Sequence, residues 1–134
     1  MSDLQKLMDF IAGQYVFDEK TYPMLRKAVG QEKRLFAVNH SLLHMMKSQG
    51  NMAACVENLD HGGGCDEAVL RENTTKMLIN TLRLAEVLGM SADDLVRAVP
   101  VSMKAKKGAS MDWFQKLLPA KPPRKNSRKS GKAN

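Results

Sequence analysis

Apolar residues recur at three- and four-residue steps along most of this chain, and the pattern predicts helices rather than strands. Leu4, Leu7, Met8, Ile11 and Tyr15 share one face of a first amphipathic helix. Asp18 to Val29 predicts a second, short helix with Asp18 as cap and Gly30 as stop, provided Pro23 lies in its first turn or interrupts it. From Gln31 to about Leu59 there is no proline. There Leu35, Val38, Leu42, Met45 or Met46, Met52 and Val56 keep helical spacing, which predicts one long helix. Gly50 inside it costs about 1 kcal/mol relative to Ala, so a close helix approach or a local break is expected there. His61-Gly62-Gly63-Gly64 frees the backbone for a reversal. Asp66 then caps a second long helix reaching Leu88, whose apolar residues (Leu70, Met77, Leu78, Leu82, Leu84, Ala85, Leu88) fill more than one stripe and predict burial on two sides.

Leu88-Gly89 reads as a helix C-cap, and Ser91-Ala92-Asp93-Asp94 resembles a capping box with Asp in place of Glu. A short helix from Ala92 to Val99 should stop at Pro100. Farther on, Met111, Trp113, Phe114, Leu117 and Leu118 predict a short helix that docks on a surface, and residues 120–134 are too polar to pack. The expected organisation is a helical domain over 1–103, a linker with a docking helix over 104–119, and a disordered basic tail over 120–134.

Composition sharpens this picture. A chain of 134 residues with 43% hydrophobic content suits one domain with a modest core that a second subunit would complete. Ten Met against 5% aromatic residues point to an aliphatic, thioether-rich core, as packed helices use. The net charge of +7 is concentrated at one end: residues 104–134 carry ten Lys or Arg and a single acid, Asp112. Within the tail, Lys121, Arg124, Lys125, Arg128, Lys129 and Lys132 form a basic arm able to meet nucleic-acid phosphates without reading sequence. No aromatic residue lies beyond Phe114, so base stacking by the arm is not expected. Two cysteines are too few for a disulfide framework, the N-terminus lacks a signal pattern, and no run approaches the ~20 apolar residues of a membrane span. A cytoplasmic, reduced protein away from the membrane is expected.

Two runs carry a family resemblance. Leu43 to Ala54 and Asn73 to Glu86 resemble the two central helices of MazG-type nucleoside triphosphate pyrophosphohydrolases, with Gly50-Asn51-Met52-Ala53 and Leu82-Arg83-Leu84-Ala85 setting the register. The similarity spans roughly Phe36 to Val99. In that family the first helix carries Glu-Glu-x-x-Glu and the second Glu-x-x-Asp. Here the first motif falls on Lys47, Ser48 and Asn51 and the second on Asn73 and Lys76, so every acid is replaced. The resemblance implies an all-α, MazG-like helical bundle with two long central helices and a cleft between them, and the apolar surface that paired long helices of this size leave predicts a homodimer.

The replaced acids change the expected chemistry. The family's reaction uses hard oxygen ligands to hold Mg²⁺ against a triphosphate. Ser and Asn bind that ion poorly and two lysines repel it, so no cofactor is expected and the scaffold reads as a non-catalytic nucleotide-binding or regulatory module. If the register is shifted, Glu57, Asp60, Asp66, Glu67 and Glu72 would supply a relocated Mg²⁺ site in an active pyrophosphohydrolase. A third reading is a small nucleic-acid-associated dimer acting through its basic tail. His40 and His44, with Cys55, His61 and Cys65, have some of the residue types of a zinc site but no C-x-x-C pair, and an ordinary core role for Cys55 is favoured. Gly62-Gly63-Gly64 lacks the strand and Lys-Ser/Thr of a P-loop and reads as a turn.

Overall fold

A computed structural model of the chain describes residues 1–107. They form four α-helices and one 3-10 turn, with no strand among the described residues: α1 (Asp3–Gln14), the 3-10 turn (Pro23–Lys27), α2 (Gln31–Asp60), α3 (Glu67–Val87) and α4 (Ala92–Lys107). The chain divides into a unit spanning residues 1–95 and a second beginning at Val96. No helix among the described residues is long and apolar enough to cross a membrane. The expected docking helix and basic tail lie outside the described residues.

In the first unit, α2 and α3 form an antiparallel hairpin and α1 packs on α3. Met8 and Ile11 of α1 meet Leu82 and Ala85 of α3 and Ala92 at the start of α4, with Leu4, Ile79, Met90 and Leu95 around them. Asp66 and the Ser91–Asp94 box cap their helices as expected, and Ser2, which the apolar spacing did not single out, caps α1. Ser2 Oγ accepts from Gln5 N at 3.2 Å, and Asp66 Oδ1 accepts from Ala68 N at 2.9 Å. The Ser91–Asp94 box closes in both directions, Asp94 Oδ2 accepting from Ser91 N at 2.8 Å and Ser91 Oγ accepting from Asp94 N at 3.2 Å. Between α2 and α3, Gly62 takes φ +79°, which L side chains avoid. Gly63 N donates to Asn58 O at 2.8 Å, so close that a Cβ on Gly63 would sit 3.0 Å from that oxygen.

The structure corrects four expectations. The helix expected over 18–29 is only the five-residue 3-10 turn. Pro23 lacks an N–H and disfavours helical backbone at Tyr22, so no helix can run through from Asp18, and too few residues remain before Gly30. α4 does not stop at Pro100 but continues to Lys107. A proline removes its own donor and crowds the carbonyl four residues back, while the N–H groups beyond it can still bond. Cys55 and Cys65, expected to be reduced, are joined by a disulfide, because the glycine turn brings their Cα atoms within 4.9 Å. Finally, Gly50 marks neither a break nor a close approach. α2 is continuous over its 30 residues, about 45 Å, and a Cβ built on Gly50 meets nothing within 4 Å.

The contact stripe of α2 against α3 is small and polar. α2 buries Ala37, Ser41, Ser48 and Cys55, and α3 buries Asn73, Asn80 and Arg83. The larger apolar side chains of α2 stand to one side: Leu35, Leu42, Met46 and Val56 are between 41 and 64% exposed.

Because Gly50 sits in open space in an unbroken helix, Gly50→Ala should stabilise the protein by about 0.5–1 kcal/mol through reduced backbone entropy of the unfolded chain. Thermal melting checks this. A lower melting temperature would mean that an alanine at residue 50 meets a surface not formed within one chain.

Candidate functional site

On the flank of the α2–α3 contact opposite the exposed apolar residues lies a cleft of about 350 Å³. α2 contributes His40, His44, Lys47, Ser48 and Asn51, at steps that keep one face of the helix, and α3 contributes Asn73, Lys76, Ile79, Asn80 and Arg83. Tyr15 and Tyr22, from the segment after α1, complete the lining. The helices are antiparallel, so His40 lies level with Arg83 and Asn51 with Asn73. At 1.5 Å per residue these two ends are about 16 Å apart along the helix axis.

All five residues that the family register singled out, Lys47, Ser48, Asn51, Asn73 and Lys76, therefore line one cleft. Asn51 Nδ2 donates to Asn73 Oδ1 at 3.2 Å across the helices, and Asn73 Nδ2 donates back to Val69 O at 2.8 Å. Asn80 likewise donates to Lys76 O at 2.8 Å. These bonds fix the amides in place. Lys76 Nζ pairs with Glu72 at 2.5 Å one turn earlier, an exposed contact that holds the ammonium at the rim.

None of the twelve lining residues is acidic. The five alternative acids are elsewhere: Asp66 is the α3 cap, Glu67 pairs with Arg71, Glu57 with His61 and Glu72 with Lys76, while Asp60 lies in the last turn of α2. Mg²⁺ keeps near-octahedral oxygen coordination and is held by carboxylates, so amides, hydroxyls, imidazoles and cations do not fit it. The zinc candidates do not assemble either. Cys55 and Cys65 are bonded to each other, and among the described residues no group of three or more His, Cys, Asp or Glu could hold a metal ion.

Sequence reasoning missed the other end of the cleft. Phe17, Tyr22, Phe36 and His40 form an aromatic cluster with ring centroids 4.9 to 6.1 Å apart, and Tyr22 Oη shares a 3.1 Å hydrogen bond with His40 Nε2. The Arg83 guanidinium lies 3.9 Å from the centroid of the Phe17 ring and 5.0 Å from that of Tyr15, and donates to Tyr15 O at 2.6 Å. Arg83 thus clamps the segment after α1 onto α3. Burial lowers its pKa from the ordinary value, but a guanidinium remains charged at neutral pH. The one available signal was spacing: Asn73, Lys76, Asn80 and Arg83 fall on one helical face.

No protein-family model matches this sequence, and no curated protein or solved structure matches it significantly.

His40 supplies a pH test. Burial, then the electrostatic influence of His44 and Arg83, lowers its pKa from the ordinary 6.5, which favours the neutral imidazole in the folded protein. As pH falls below 6.5 the unfolded chain takes up the proton first. The stability tied to neutral His40 is intact above 6.5 and is lost as pH falls through the lower folded value. NMR titration should place His40 below 6.5, and melting temperature should decline over that acid window less steeply in His40→Gln. Parallel losses in both proteins would reject the assignment.

Proposed function

We propose that this chain is a non-catalytic, MazG-like helical protein whose α2–α3 cleft binds a nucleotide directly through side-chain cations and amides, without Mg²⁺ and without releasing pyrophosphate. The observation that supports this reading is the meeting of Lys47, Ser48, Asn51, Asn73 and Lys76 in a cleft that no carboxylate lines among the described residues. Ammonium groups offer three donors each and a compact positive charge to phosphate oxygens. Asn51 and Ser48 add neutral donors. Near Arg83, the rings of Tyr15, Tyr22, His40 and His44 suit a planar base, and the ~16 Å between the two ends accommodates a base and a phosphate chain along the trough.

Calorimetry of the full chain with nucleoside triphosphates in chelator, alongside a pyrophosphate-release assay in Mg²⁺, tests both halves of the proposal. Binding should survive the chelator. Lys47→Ala with Lys76→Ala should weaken it roughly tenfold or more, since hydrogen bonds to charged groups contribute ~1.5–3 kcal/mol each before solvent screening. Unchanged affinity in the double variant would reject these lysines as the site, and robust turnover by the wild type would reject the non-catalytic assignment.

The same reading includes a homodimer. Leu35, Leu42, Met46 and Val56 of α2 are exposed, and at the seam between α2 and α3 the hydroxyls of Thr74 and Thr81 lie 3.8 and 4.0 Å from the Met52 and Met45 sulfurs. Leu88, which caps the end of α3, is also exposed. A hairpin with small and polar residues inside and Leu, Val and Met outside is stabilised when a second copy covers that face. Sedimentation of the wild type should show a dimer, and Leu42→Glu with Val56→Glu should shift it to monomer. A monodisperse wild-type monomer at micromolar concentration would defeat the proposal.

A further inference from the structure

The Cys55–Cys65 disulfide has no part in the cleft chemistry, yet it lies directly beyond the cleft's amide end. Cys55 is one helical turn after Asn51 on the same face of α2. Cys65 immediately precedes Asp66, the cap of α3, and lies about two turns ahead of Asn73. The covalent bond therefore ties the two helices where the Asn51–Asn73 hydrogen bond is their polar cross-link.

The disulfide is not the sole closure of this turn. The turn is closed by backbone bonds of its own, from Gly62 N to Leu59 O at 3.0 Å, from Gly63 N to Asn58 O at 2.8 Å and from His61 N to Glu57 O at 3.3 Å. The cluster of Met8, Ile11, Leu82, Ala85 and Ala92 sits at the far end of α3. The glycine loop is exposed and Cys65 is half-buried, so a small thiol can reach the bond, while Cys55 is buried.

We propose that Cys55–Cys65 is a reversible redox clip that sets how closely α2 and α3 are held at the amide end of the cleft; its effect on ligand affinity rests on the cleft being the binding site. Closed, it keeps Asn51 and Asn73 within hydrogen-bonding distance. Opened, it leaves the turn joined by backbone bonds and lets the hairpin end splay, separating the two rows of donors. The co-reactant is a small-molecule thiol. Its thiolate attacks the Cys65 sulfur, the S–S bond breaks, and Cys55 leaves as a thiolate that takes up a proton. A second thiol then attacks the mixed disulfide, releasing Cys65 as a thiol and the reductant as its own disulfide. Two thiols are oxidised and one protein disulfide is reduced.

The test compares the full chain oxidised, reduced with a dithiol, and as Cys55→Ser with Cys65→Ser. Amide hydrogen exchange followed by mass spectrometry should rise at least tenfold over residues 51–73 on reduction, with residues 3–14 and 79–90 little changed. Affinity for inorganic tripolyphosphate should fall at least threefold. The double-serine variant should behave like the reduced protein and ignore the dithiol. Unchanged exchange over 51–73 would overturn the clip, and loss of protection throughout the domain would overturn it in favour of a structural staple. Equal tripolyphosphate affinity in both states, with the expected exchange change, would reject its control of the cleft. If neither state binds tripolyphosphate, the binding reading of the cleft fails, and the exchange data alone decide the clip.

Discussion

The close approach of α2 to α3 over small and polar side chains is the constraint on which the first unit of this protein depends. Ala37, Ser41, Ser48 and Cys55 on one helix face Asn73, Asn80 and Arg83 on the other. Small residues let helix backbones come together. Polar ones must find partners once water is gone. Asn73 and Asn80 satisfy their amides on carbonyls one turn back in their own helix, which lets them sit at the contact. Ser41 Oγ, fully buried, has no hydrogen-bond partner among the described residues, a cost of about 1–3 kcal/mol that other packing must offset.

That choice of contact residues displaces everything else to the flanks. On one side the polar stripe widens into the cleft of Lys47, Ser48, Asn51 and Lys76. On the other, Leu35, Leu42, Met46 and Val56 are left exposed among the described residues. The cleft and the apolar face are therefore two consequences of the same packing, and they lie on opposite flanks, so a second copy on the apolar face leaves the cleft open.

Arg83 connects the hairpin to the rest of the first unit. Its charge is tolerated in a buried setting because the faces of Phe17 and Tyr15 and the carbonyl of Tyr15 surround it. The same contacts bring Tyr15 and Tyr22 to the cleft and close the end that the two helices alone would leave open. At the opposite end the closure is covalent, through Cys55 and Cys65. One end of the trough is thus held by packing and charge, the other by a bond that thiols can break.

Much of this was legible in the residues alone. Helix positions follow from apolar spacing, and helix ends from local chemistry at Asp66, Gly89 and the Ser91–Asp94 box, because caps are satisfied by atoms within a few residues. The alignment of Lys47, Ser48 and Asn51 with Asn73 and Lys76 was also available, since two antiparallel helices joined by a short turn have little freedom in register. What the pattern hid depends on distances between residues far apart in sequence or on competition between local signals. The Arg83 clamp joins residues 68 positions apart. The cysteine pairing depends on a backbone reversal that brings two Cα atoms to 4.9 Å, which a spacing of ten residues does not imply. The proline at residue 23 shortened a helix that the one at residue 100 did not end, because the first falls where a helix would have to begin and the second where one is already formed. Apolar spacing alone places α1, α2, α3 and the start of α4. Which faces meet is a matter of packing, because at the α2–α3 contact inward small and polar residues and outward large apolar ones reverse the rule by which apolar periodicity assigns a buried face.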